Sequence, residues 1–146
     1  MAAAKCLPPL LLTKNITEHC QRNMVTANSD ALEALQVRLR EFARERDWDQ
    51  FHSPKNLAMA LIAEAAELVE HFQWLTEAQS AQLSAEKLRE VEQELADVFL
   101  YLLRLADRLK VDLLAAAAHK IDLNARKYPA DKVRGSSKKY NEYDEQ

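Results

Sequence analysis

The chain has 146 residues, 48% of them apolar and 29% charged, which suits one soluble globular domain and excludes a disordered chain. Its 23 acidic and 20 basic side chains leave a net charge of −3, so the bulk charge gives no reason to expect nucleic-acid binding. One glycine, Gly135, and four prolines cannot supply the turns of a many-stranded sheet, and good helix formers dominate, so the predicted fold class is all-α. The same scarcity of glycine excludes both GxGxxG and GxxxxGK[ST], and a nucleotide could be held only through metal and side chains.

Residues 1–28 show no sustained period and read as an N-terminal extension. Their apolar run, Leu7 to Leu12, is broken by Pro8 and Pro9. It is too short for a signal peptide or a membrane span, and no membrane partner is expected. Cys6 and Cys20 form no CxxC and read as free thiols of a reducing cytoplasm.

The first helix is predicted to start at Ser29 or Asp30, where Asp30 and Glu33 resemble a capping box. Leu32, Leu35, Leu39 and Phe42 give it one apolar stripe. A connector follows: Trp48, Asp49, Gln50, Phe51 and His52. Two large aromatics and a histidine here either plug the end of a bundle or touch a substrate. Ser53-Pro54 is a strong start signal for a second helix, predicted to run to about Trp74. Leu57, Leu61, Ala65, Leu68, Val69 and Phe72 share one arc of it, with Glu64 and Glu67 on the flank. Residues 76–84 read as a polar linker.

The third helix is predicted from Ser84 to about Lys110, striped by Leu88, Val91, Leu95, Val98, Leu102, Leu105 and Leu109. Glu94 and Asp97 flank that stripe, and Tyr101 continues their face. Beyond Asp97 the helix is apolar nearly all round, which predicts burial on all sides and a homo-oligomer interface. The fourth helix runs from its cap Asp112 to about Tyr128, before Pro129. Leu114, Ala117, Ala118 and Ile121 are expected to pack inward. Lys120, Asn124 and Lys127 form a polar stripe, either solvated charge or groups for an anion. The domain is thus 29–129, followed by a polar tail, 130–146.

Glu64/Glu67 and Glu94/Asp97 are each spaced i, i+3, so each pair lies on one helix face. A carboxylate beside core leucines is costly without a partner. Four carboxylates from two helices can converge on a cation, and oxygen-only ligands favour Mg²⁺, Mn²⁺ or Ca²⁺ over Zn²⁺. The Glu-x-x-His motif of di-iron bundles does not occur, nor does a glycine-bearing calcium loop. Mg²⁺ is held by few carboxylates plus substrate phosphates, which suits hydrolysis of a phosphoanhydride. The competing readings are a non-catalytic helical interaction module, with solvated carboxylates and with Trp48 and Trp74 as partner anchors, and an enzyme with the same chemistry on another nucleotide.

Glu64-x-x-Glu67 followed by Glu94-x-x-Asp97 resembles the signature of the MazG-like all-α nucleoside triphosphate pyrophosphatases. The blocks ERDWDQFH, PKNLAMAL, ELVEHFQW, KIDLNARKYP and SSKKY are similar to the dCTP pyrophosphatase branch, over roughly Leu35 to Tyr140. The resemblance implies a four-helix MazG-like bundle assembled as a dimer or tetramer, with pockets built across subunits. It implies Mg²⁺-dependent hydrolysis of a (deoxy)nucleoside triphosphate, dCTP or a modified dCTP, to monophosphate and pyrophosphate, as a housecleaning step on the nucleotide pool. Glu64, Glu67, Glu94 and Asp97 would be the catalytic Mg²⁺ ligands, with Glu67 first choice as base. Trp48, Asp49, Gln50, Phe51, His52, Trp74 and Tyr101 would form the base and sugar pocket. Lys120, Asn124 and Lys127 would face the triphosphate. One departure concerns selectivity: Leu39 stands where dCTP-preferring relatives can carry histidine.

Overall fold

The computed structural model describes residues 30–136, which contain helices and turns and no strand. The expected extension of residues 1–28, both cysteines and the tail from residue 137 onward lie outside the described residues. The first helix, α1, spans residues 30–45. It is followed by α2 (Pro54–Glu70), α3 (Glu77–Ser80), α4 (Ala85–Leu109), α5 (Leu113–Lys127) and α6 (Ala130–Val133). Among the described residues, four helices are thus long and two are single turns. No helix among them is long and apolar enough to cross a membrane.

Side-chain caps set most of the helix starts. Ser53 accepts from the Asn56 backbone N–H at 3.2 Å, with Pro54 in the first turn. Ser84 accepts from Lys87 N–H at 3.1 Å and Asp112 from Ala115 N–H at 2.9 Å. The expected linker holds the short α3, started by a capping box in which Thr76 and Gln79 exchange bonds.

Two helix ends turn without glycine. Asp47 (φ 53°) and Lys110 (φ 58°) adopt the left-handed conformation. Trp48 N–H bonds Ala43 C=O at 2.9 Å and Asp47 N–H bonds Arg44 C=O at 3.1 Å. Val111 and Lys110 repeat that pair of bonds on Ala106 and Asp107 at 2.9 and 3.2 Å, so both ends are Schellman closures. The second helix ends earlier than its apolar stripe predicts. It stops at Glu70, and residues 71–74 turn on Val69 and Phe72, with Phe72 N–H bonding Val69 C=O at 2.9 Å.

The core is small and sits where α1, α2 and α4 meet: Ala43, Leu57, Val91, Leu103 and Ala106 are buried. Helices α2 and α4 pack along each other, and no other pair of helices from α2 to α6 packs to a comparable extent. Two expectations need correction. Leu114, Ala117, Ala118 and Ile121 do not pack inward; they are exposed along α5, Ile121 by 68%. Beyond Asp97, helix α4 is not buried on all sides within one chain either, since Phe99, Leu102 and Leu109 are exposed. In each case the apolar surface exceeds what α1 and α2 can cover.

Candidate active site

The packed pair α2–α4 carries both acidic motifs, and it brings three of the four acids together. Carboxylate oxygens of Glu64, Glu94 and Asp97 all lie within 4.8 Å of one another. Glu67, one turn after Glu64, is exposed and stands outside that group. The four acids still feel one another. Burial first, and then the charges of Glu67, Asp97 and Glu94, push the Glu64 carboxyl above the usual carboxylate range. Among the described residues no ion pair to a lysine or arginine neutralises Glu64, Glu94 or Asp97. Three uncompensated carboxylates offering only oxygen fit a hard divalent cation.

Beside this group opens a cleft of about 270 Å³, lined by Trp48, His52, Asp97, Tyr101 and Arg104 over an apolar bed that includes Leu39 and Leu57. That size is near the lower edge of small-molecule sites, roughly 300–1,000 Å³. Asp97 belongs to both the cleft and the acidic group, so the two form one continuous site. Trp48 meets Phe42 edge-on at 5.7 Å and His52 at 6.3 Å. Burial, then Glu64 and Asp97, push the Tyr101 hydroxyl upward, so it stays a hydrogen-bond donor. Burial and the Arg104 cation push His52 down, so its ring is held neutral.

The remaining predicted residues are placed as follows. Gln50 turns back from the cleft, donating to the Asp47 carbonyl at 2.9 Å and carboxylate at 2.7 Å. Phe51 is exposed, and Trp74, past the end of α2, is 86% exposed; neither lines the cleft. Asp49 pairs with Arg104 and lies 3.8 Å from Arg108. Lys120, Asn124 and Lys127 sit exposed on α5 and do not line the cleft.

Pattern reading missed Arg104. This residue, 6% exposed, sits in the apolar half of α4 and lines the cleft. Its Nη1 donates to Asp107 at 3.0 Å and its Nε to His52 Nδ1 at 3.3 Å. Asp107, 7% exposed, also takes two bonds from Arg40 of α1, at 3.0 and 2.8 Å. Arg40, then the other cations, hold the Asp107 carboxyl below its usual range. The available signal was Arg104 and Asp107 at i, i+3 among the leucines of the apolar second half of the helix.

Comparison with known proteins points the same way. The MazG-like family matches residues 60–143, which include both acidic motifs. The human protein dCTP pyrophosphatase 1 is 48% identical over 104 residues, covering 70% of this chain and 61% of the human one. The rat protein of the same name is 45% identical over 102 residues, covering 68% and 60%. The matches thus span about three fifths of the length of these relatives. A solved structure of a pyrophosphatase from Archaeoglobus fulgidus superposes with a TM-score of 0.65 at 41% identity, covering 68% of this chain and 93% of that one.

Proposed function

This chain belongs to the MazG-like family, and we propose on that footing that it hydrolyses a (deoxy)nucleoside triphosphate, dCTP or a modified dCTP, to the monophosphate and pyrophosphate. The observation that carries this reading is the continuity of the aromatic cleft with the three-carboxylate group through Asp97. The names of the human and rat relatives and of the archaeal structure support the reaction class.

Glu64, Glu94 and Asp97 would hold Mg²⁺, which when bound neutralises phosphate charge and acidifies a nearby water. Trp48 offers a ring for the nucleobase, and Tyr101 offers a hydroxyl beside the carboxylates. Glu67, exposed and one turn from Glu64, takes the proton as water attacks the α-phosphorus. The new P–O bond forms as the bond to the bridging oxygen breaks, and pyrophosphate leaves. Lys120, Asn124 and Lys127 would meet the phosphates only if α5 of the same or a second copy closed on the site. The uncovered apolar surface of α4 and α5 favours such a homo-oligomer, dimer or tetramer, with Trp74 reaching a neighbouring cleft. A cytoplasmic nucleotide-pool role agrees with this chemistry.

The test is turnover of dCTP with Mg²⁺ by the wild type and by Glu64→Gln and Asp97→Asn. Each substitution is expected to lower kcat by about 100-fold or more. Wild-type rates in both variants would remove the carboxylates from the mechanism.

A further inference from the structure

Arg104 connects the cleft to a buried anchor. On α4, Asp97, Tyr101 and Arg104 follow at steps of four and three, so they share one face, and all three line the cleft. Arg104 spends each of its three nitrogens on a different partner. Nη1 goes to Asp107 of its own helix, while Nη2 and Nε go to Asp49 and His52 of the connector. Asp107 cannot swing with it, because Arg40 of α1 grips both Asp107 oxygens. The connector it holds, residues 46–53, is otherwise tied mostly to α1 and α2: the Schellman closure at Asp47, Arg46 and Trp48 on Phe42, its own turn bonds and the Gln50 and Asn56 side chains. From α4 it also meets Arg108, which stands 3.8 Å from Asp49, a longer contact to one residue, whereas Arg104 bonds both Asp49 and His52.

We propose that Arg104 is a positioning residue: by gripping Asp49 and His52 from α4 it fixes the Trp48–His52 wall of the cleft, and so sets selectivity for the nucleobase. This inference rests on the reading that the cleft receives a nucleoside triphosphate. The device suits selectivity better than phosphate chemistry, because what Arg104 holds is the aromatic wall, whereas the carboxylate group stands on α2 and α4 without it. A planar fork with three separate partners cannot be replaced by the single nitrogen of lysine. Loss of the grip would let Trp48 and His52 drift, and shifts of an ångström at a substrate wall are costly.

Two variants test it. Arg104→Lys keeps a cation but loses the fork. Asp49→Ala cuts the Arg104 bond to Asp49, together with the longer Arg108 contact, and leaves Arg40–Asp107–Arg104 whole. For each, kcat and KM are measured with Mg²⁺ on dCTP, on dTTP and on base-free 2-deoxyribose 5-triphosphate, alongside the melting temperature. The expected result is a rise in KM for dCTP of about tenfold, a comparable fall in the preference for dCTP over dTTP, and a loss on the base-free triphosphate several times smaller. Lower melting temperatures with an unchanged dCTP-to-dTTP preference would make Arg104 a mere staple and overturn the inference. An equal loss on the base-free triphosphate would overturn it too, as would a wild type that treats dCTP and dTTP alike. A wild type that turns over none of the three would overturn the proposed function itself, and the inference with it.

Discussion

Helices α4 and α5 follow one another in the chain and meet opposite fates. The first packs along α2, buries Val91, Leu103 and Ala106, and carries Glu94, Asp97, Tyr101 and Arg104 on its site side. The second has no buried residue, although Leu114, Ile121 and Leu123 would serve a core well. The division matches the chemistry proposed for each. A cation site needs ligands held at fixed separations, and α2 and α4 supply a rigid mount. Groups that close on phosphates can be delivered from an element whose packing is completed elsewhere. On the proposed reading, the carboxylates need only one chain, whereas the exposed Lys120 and Asn124 of α5 would serve the site only across a second surface.

Truncating one apolar side chain in each region sharpens that contrast most. Leu57→Ala empties a fully buried position under the cleft and should cost roughly 2–5 kcal/mol by denaturant unfolding. Ile121→Ala should cost within about 0.5 kcal/mol under conditions that keep the chain monomeric. If α5 is covered by a second copy, Ile121→Asp weakens association on sedimentation and leaves monomer unfolding unchanged. Equal costs for Leu57→Ala and Ile121→Ala in a monomer would break the comparison.

Helix caps probe the same difference at a smaller scale. Ser53→Ala removes the cap of packed α2, and Asp112→Ala removes that of α5. The first should lower global stability by about 1 kcal/mol. The second should show mainly as faster amide exchange along α5, because a helix with little packing frays locally rather than unfolding the domain. Identical global losses would mean that α5 is as firmly mounted as α2.

The smallest expected effect is on pH dependence. Native His52 titrates below its usual value because of burial and Arg104, so between that lowered pKa and about 6.5 the unfolded chain binds more protons at this site. Stability should rise with pH through that window and be lost as pH falls, when the Nδ1 acceptor of Arg104 becomes a donor. Melting curves from about pH 5 to 7 should be flatter in His52→Gln than in the wild type. Parallel curves would remove His52 from the network.

Much of this was legible in the sequence, and the reasons differ by feature. One glycine in the chain and the periodic apolar stripes sufficed for the all-helical class and for α4 almost to the residue. The i, i+3 spacing beside apolar arcs pointed to four converging carboxylates; Glu64, Glu94 and Asp97 do converge, and Glu67 stands outside the group. Helix ends were harder, because Asp47 and Lys110 take the left-handed position that glycine usually marks. The end of α2 was hidden by Phe72, which continues the stripe past Glu70. Thr76-x-x-Gln79 is a readable capping box, but nothing apolar follows it to announce a helix. The Arg40–Asp107–Arg104–Asp49 network joins residues 67 and 55 positions apart, so no local pattern could show it. Periodicity said that α4 and α5 were apolar, and only the fold could say which of those faces α1 and α2 leave uncovered.

The central claim is that Glu64, Glu94 and Asp97 hold a divalent cation between α2 and α4. Calorimetric titration of Mg²⁺ into the wild type and into Glu64→Gln, Glu94→Gln and Asp97→Asn measures it directly. Saturable binding by the wild type, weakened by about tenfold or more in each variant, is the predicted result. Equal affinity in all four proteins, or no binding by the wild type with or without a non-hydrolysable triphosphate, would contradict it.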